Sequence, residues 1–125
     1  MDRIILEKRL ISFSTKILTL CKNCEFDVLT QHLARQLVRS SSSTALNYGE
    51  AQSAESRPDF AHKLGLVLKE LRESFINLKL INEAGICRQP ELLEELMKEN
   101  DELIAIFQKS VNTLKSGLSK KGKEV

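Results

Sequence analysis

Arg39-Ser-Ser-Ser-Ser-Thr-Ala-Leu-Asn47-Tyr-Gly-Glu50-Ala-Gln52-Ser-Ala-Glu-Ser56-Arg-Pro58-Asp59-Phe60 is the stretch whose reading decides the fold. It reads as the end of one long helix, a tight turn, and the start of the next. Before the turn the inward positions Ser40, Thr44, Asn47 and Ala51 are small or polar. After it, Phe60, Leu64, Val67 and Leu71 are large. Folding the helices back on each other about Glu55 sets Ala51 against Phe60, Thr44 against Val67, and Ser40 against Leu71. Small-against-large pairing lets two helix axes approach closely while the space between them stays filled.

Working outward, Leu6, Leu10, Phe13, Ile17 and Leu20 recur at helical spacing and predict a first helix over 3–22. A break at Asn23 precedes a second helix over 26–54, with Leu29, Leu33 and Leu37 leading into the small-residue half. The four serines from Ser40 to Ser43 are no linker, because the inward period runs through them. Ser56 caps the third helix, Pro58 fits its first turn, and Asp59 stands where a capping box wants a carboxylate. That helix covers 57–84, carries Phe60, Leu64, Val67, Leu68, Leu71, Phe75 and Leu78, and stops at Gly85. Pro90 opens a fourth over 90–116, striped by Leu93, Leu96, Asn100, Leu103, Phe107, Val111 and Leu114. Short connections make sequential helices antiparallel neighbours. The expected fold is all-α, an up-down-up-down antiparallel four-helix bundle over 1–117, with a frayed basic tail over 118–125.

At 125 residues this is one domain, large enough to bury a core without staples. Aromatics at 5%, no Trp and 2 Pro suit helices better than sheets. A net charge of +2 argues against a dedicated nucleic-acid binder. With no secretory leader read at Met1-Asp2-Arg3 and no apolar run of membrane-spanning length, the expectation is a cytoplasmic protein with reduced thiols and no membrane contact.

Cys21-x-x-Cys24 invites a metal or redox reading, the more so as Cys87 and His32 belong at the same end of the bundle. A second CxxC is missing, so neither metal nor cofactor is expected and the cysteines read as inert helix-end residues. Asn47 and Asn100 fall on core stripes, where a buried amide fixes register. Arg39, Glu50 and Glu70 read as an ion-pair set rather than catalysts, and His62 as a solvated side chain. Without a nucleophile elbow, a triad order or a phosphate loop, the chain reads as no enzyme. Arg35, Lys115, Lys120, Lys121 and Lys123 are the candidate nucleic-acid contacts, although carboxylates interleave with the cations everywhere except the tail.

Arg39, Ser40, Ser43, Asn47, Glu50 and Ala51, continued by Ser56, Asp59, Phe60, Lys69, Glu70 and Leu78, resemble a bacterial family of four-helix-bundle proteins. These were first noticed as products of intervening sequences inside large-subunit ribosomal RNA genes, and often carry a ribosomal-protein-like label. The chain departs from the pattern at Thr44 and Tyr48, where Ile is usual, and at Phe75, where Trp or Tyr is common. A related protein is the accessory subunit of diversity-generating retroelements, a pentameric barrel that binds a reverse transcriptase and nucleic acid and is far more basic than this chain. The resemblance implies a homo-oligomer, a pentamer, of unassigned biochemical role.

Apolar residues that the bundle core has no place for point the same way. Ile4, Ile11 and Leu18 repeat every seven positions to one side of the first helix's core stripe. Leu66, Ile76 and Leu80 point away from the core stripe of the third. Two aligned apolar rows on one small monomer are expected to be buried between subunits. The expected function is a homo-oligomeric interaction scaffold that docks another protein; the alternative is an RNA- or DNA-binding accessory protein.

Overall fold

The computed structural model describes the backbone of residues 2–124 and the side chains of 2–117. Four helices account for nearly all of the described residues: α1 (Arg3–Lys22), α2 (Gln31–Ala51), α3 (Arg57–Ala84) and α4 (Pro90–Glu124). α2 and α3 share the most extensive contact, and α1 packs between α2 and α4. α1 and α3 sit diagonally, as do α2 and α4, without close backbone approach among the described residues. This is the expected up-down-up-down bundle.

Local chemistry sets the helix ends. Asp2 opens α1 by accepting the Ile4 N–H at 2.9 Å. Ser56 Oγ accepts the Asp59 N–H at 3.1 Å, and the Asp59 carboxylate accepts the Glu55 N–H at 3.3 Å, closing the start of α3 from both sides. Gly85 ends α3 at φ 67°, a left-handed conformation that favours glycine.

α2 is shorter at both ends than its apolar period suggests. Asp27 Oδ1 accepts the N–H groups of Leu29 and Thr30 at 2.9 and 3.0 Å, while Thr30 Oγ1 accepts the Asp27 N–H at 3.0 Å. This reciprocal closure makes 27–30 a separate turn, so α2 begins at Gln31 instead of 26. Leu29 is therefore no core residue; it is 80% exposed. At the far end Gln52, Ser53 and Ala54 each donate to the carbonyl three residues back, at 3.2, 3.0 and 3.1 Å. That tighter winding ends the α-helix at Ala51, three residues before 54. α4 runs the other way: its backbone stays helical through Glu124, beyond the expected end at 116 and into the segment expected to fray.

The core is lined by Leu10, Phe13, Ile17, Leu37, Val67, Leu71, Leu78, Ile81, Leu96, Leu103 and Phe107, all essentially without solvent exposure. Ser40, Ser41, Thr44 and Ser74 are as deeply buried, so the α2–α3 seam is indeed built from small residues. Ser40 Oγ lies 2.9 Å from Ser74 Oγ, so a hydroxyl three residues beyond the expected Leu71 meets it, and small faces small. With one proton each, one hydroxyl donates across to the other, and the second donates to a carbonyl of its own helix (Leu37 at 3.2 Å from Ser40, or Glu70 at 2.9 Å from Ser74), so neither buried hydroxyl lacks a partner.

Two further expectations shift by one position. Asn47 is only half-buried and donates to Ser43 O at 2.9 Å within its own helix. Tyr48 takes the inward place and meets Phe107 edge-on, with ring centroids 5.5 Å apart. Positions 47 and 48 straddle the midpoint between the buried Thr44 and Ala51, so helical geometry favours neither, and the apolar ring gains more from burial than the amide. On α3, Phe75 is half-buried with the Lys79 ammonium 4.5 Å from its ring centroid, while Ser74, Asn77, Leu78 and Ile81 face inward. Asn100 is fully buried and donates to the Leu71 carbonyl at 3.0 Å, tying α4 to the α3 backbone.

Candidate functional site

The inward seam of α1 uses every third or fourth residue, which leaves a second heptad row outside it. Ile4, Ile11 and Leu18 are 54%, 48% and 43% exposed along that row. On α3, Ile76 and Leu80 are 55% and 47% exposed. Leu66, expected with them, is half-buried and contributes less free surface. Ile5 beside Ile4 and Leu46 on α2 are also exposed and were missed by the sequence reading. The available signal was their departure from the inward period. α1 and α3 are diagonal partners, so the two rows sit on helices without close backbone approach among the described residues.

Beside the α3 row runs an open groove of about 630 Å³ between α2 and α3, lined by Gln36, Arg39, Arg72, Glu73, Ile76, Asn77 and Leu80. Arg39 donates to Glu70 at 3.2 Å and to Glu73 at 2.6 Å. Hydrogen bonding to Glu73 and the nearby Glu70 charge hold its guanidinium above its ordinary pKa. Glu70 is buried, so this pair compensates a carboxylate removed from water. Glu50, expected in the same ion-pair set, instead accepts from Lys63 at 2.8 Å nearer the turn. Arg72 donates to Gln108 across to α4. The α1–α4 seam is closed largely by charge, with Arg9 on Glu99 and Glu102 and Lys16 on Glu95.

Among the candidate nucleic-acid contacts, Arg35 and Lys115 are exposed, while the side chains of Lys120, Lys121 and Lys123 lie outside the described residues. Arg39, one turn from Arg35, is committed to two carboxylates. The structure does bring Cys24 and Cys87 together, as an isolated antiparallel bridge between the two connections at one end of the bundle. Burial first, and the neighbouring thiols second, push Cys21 up to about 11 and Cys24 up to about 12. No group of His, Cys, Asp and Glu among the described residues is arranged to hold a metal ion, and none of their helices is long and apolar enough to cross a membrane.

With this geometry in view, the model of the 23S rRNA-intervening sequence protein family matches residues 3–109. The chain belongs to that family. A solved structure of a protein of unknown function from the S23 ribosomal protein family of Bacteroides thetaiotaomicron is similar, with 26% identity over 90% of this chain and 99% of the other, at a TM-score of 0.73. Among curated proteins none matches. In this intervening sequence protein, Arg39, Ser40 and Glu70 all serve the α2–α3 seam through the contacts above, Ala51 is buried on its α2 side, Glu50 is bound to α3 through Lys63, and Asp59 closes the turn. Phe60 is half-buried against the core, and Ser43 accepts from Asn47. The residues that carry the resemblance thus make a tight helical hairpin, and their chemistry is spent on it.

Proposed function

We propose that this intervening sequence protein is a non-enzymatic cytoplasmic scaffold that assembles with copies of itself and presents the assembly to a protein partner. The observation that carries the reading is the pair of exposed apolar rows on diagonally opposite helices. A dimer with two-fold symmetry would pair one surface with itself and leave the other row in water. Joining the α1 row of one copy to the α3 row and groove of the next is a heterologous contact, which repeats until a ring closes. Closure buries both rows on every copy equally. Five copies is the number that the resemblance implies.

The polar side chains support the same reading. Arg39, Lys63, Arg72, Glu70 and Glu73 are engaged with one another or with neighbouring helices, so the groove offers packing surface flanked by fixed charges. Replacing Ile11 and Ile76 together by Asp sets a carboxylate into each row while leaving the intramolecular core untouched. The double variant is expected to elute as smaller species with unchanged helical content. A double variant that keeps the full assembly mass refutes the proposed contact. Nucleic-acid binding is the alternative outcome, visible as a gel shift of structured RNA that weakens steeply with salt.

A further inference from the structure

At the end of the bundle where both the α1–α2 and the α3–α4 connections lie, two backbone hydrogen bonds join them. Arg88 N–H donates to Asn23 O at 3.2 Å, and Glu25 N–H donates to Ile86 O at 2.8 Å. Cys24 and Cys87 face each other between these bonds, and neither gives its own N–H to the other. That is the non-hydrogen-bonded kind of antiparallel pair, in which opposed Cα atoms stand roughly 4.5 Å apart and the side chains come closest. Disulfides span Cα separations of roughly 4.4–6.8 Å, so the backbone already satisfies the bond's main requirement. Both residues are only half-buried, open to a small oxidant. The ion pair of Arg88 with Glu25 fastens the same bridge from outside. Cys21, on the last turn of α1, has no bridge partner.

We propose that Cys24 and Cys87 are a disulfide-forming pair, which a peroxide or a small-molecule disulfide converts into a covalent staple between the two connections. With a peroxide, one thiolate attacks oxygen and becomes a sulfenic acid while the leaving oxygen is released as water. The second thiol then displaces that hydroxyl as a second water, so two thiols and one hydrogen peroxide give one disulfide and two waters. With a small disulfide, the first thiolate forms a mixed disulfide and releases one small thiol; the second protein thiol displaces the other. Gln89 N–H donates to Cys87 Sγ at 3.3 Å and holds that sulfur beside the bridge. The raised Cys24 thiol makes closure slow at neutral pH and faster as pH rises. The device is a slow-forming clamp.

Trypsin tests this directly, because cleavage after Lys16, Lys22, Arg35, Lys79 and Arg88 leaves the three cysteines in three different peptides. The full chain, treated with hydrogen peroxide or oxidised glutathione at mildly alkaline pH, is expected to lose two hydrogens per chain. Peptide 23–35 should then be joined to peptide 80–88. The midpoint of thermal unfolding should rise by on the order of 10 °C and fall back after reduction with dithiothreitol. The Cys21→Ser variant should form the same link, and Cys24→Ser and Cys87→Ser should not. A link through Cys21, a link between chains, retained glutathione without closure, or three thiols still free would each overturn the assignment.

Discussion

Replacing Ser40 by Leu probes the closest point of the α2–α3 seam. The two hydroxyl oxygens of Ser40 and Ser74 are 2.9 Å apart, and both side chains have zero solvent exposure. Carbon needs roughly 3.5–4.0 Å from its neighbour. Even the nearest atom of the new side chain therefore forces the helices apart by about 0.6–1.1 Å at this level. Two additional heavy atoms must find room where none is open to solvent. Overpacking of this kind costs about 1–3 kcal/mol. The lost hydroxyl leaves no orphan donor behind, because Ser74 keeps its bond to the Glu70 carbonyl. For a chain of this size the unfolding midpoint should drop by roughly 4–12 °C. Ser40→Ala removes the hydroxyl without adding volume and should cost about 0.5–1.5 kcal/mol, separating packing from hydrogen bonding. Thermal unfolding followed by far-ultraviolet circular dichroism, at one fixed protein concentration, measures both variants. If Ser40→Leu unfolds at or above the wild-type midpoint, the seam is not the tight approach described above.

Asn100→Asp should destabilise by about 3 kcal/mol or more at neutral pH, because an ionised carboxylate cannot donate to the Leu71 carbonyl and is buried without a partner. Burial raises the introduced carboxyl's pKa in the folded state, so the penalty should shrink as pH falls towards its unfolded value near ~4; urea titrations at two pH values check the sign. Reduced Cys21 and Cys24, with thiols pushed up to about 11 and about 12, should alkylate slowly with iodoacetamide at neutral pH and roughly tenfold faster per pH unit above it; fast labelling of both at neutral pH would contradict the burial that sets those values. Structured RNA should show no salt-sensitive gel shift with the wild-type chain, and a shift that fades steeply with salt would favour the nucleic-acid reading instead.

The bundle was readable because its signals are local: the Ser56 cap, the αL glycine at 85 and the small-residue run at 40–44 each act within one or two turns. The misplaced start of α2 has an equally local cause that periodicity hides. Leu29 continues the apolar spacing, yet the Asp27–Thr30 closure commits the backbone to a turn and turns Leu29 outward. At Asn47 and Tyr48 the helical angle favours neither residue, and the Tyr48 ring enters the core, where it meets Phe107 on α4. The heptad row on α1 could be read as exposed, whereas Leu66, expected beside Ile76 and Leu80, is half-buried. Cys24 and Cys87 are 63 positions apart in sequence, and their pairing follows from two connections meeting at one end of the bundle.

Self-association through the two apolar rows is the central claim, and the mass of the wild-type protein in solution tests it most directly. Multi-angle light scattering after size exclusion, at micromolar protein, should return a fivefold multiple of the 14.2 kDa chain. A single species at the mass of one chain would mean that Ile4, Ile11, Leu18, Ile76 and Leu80 remain in water, and would contradict the account.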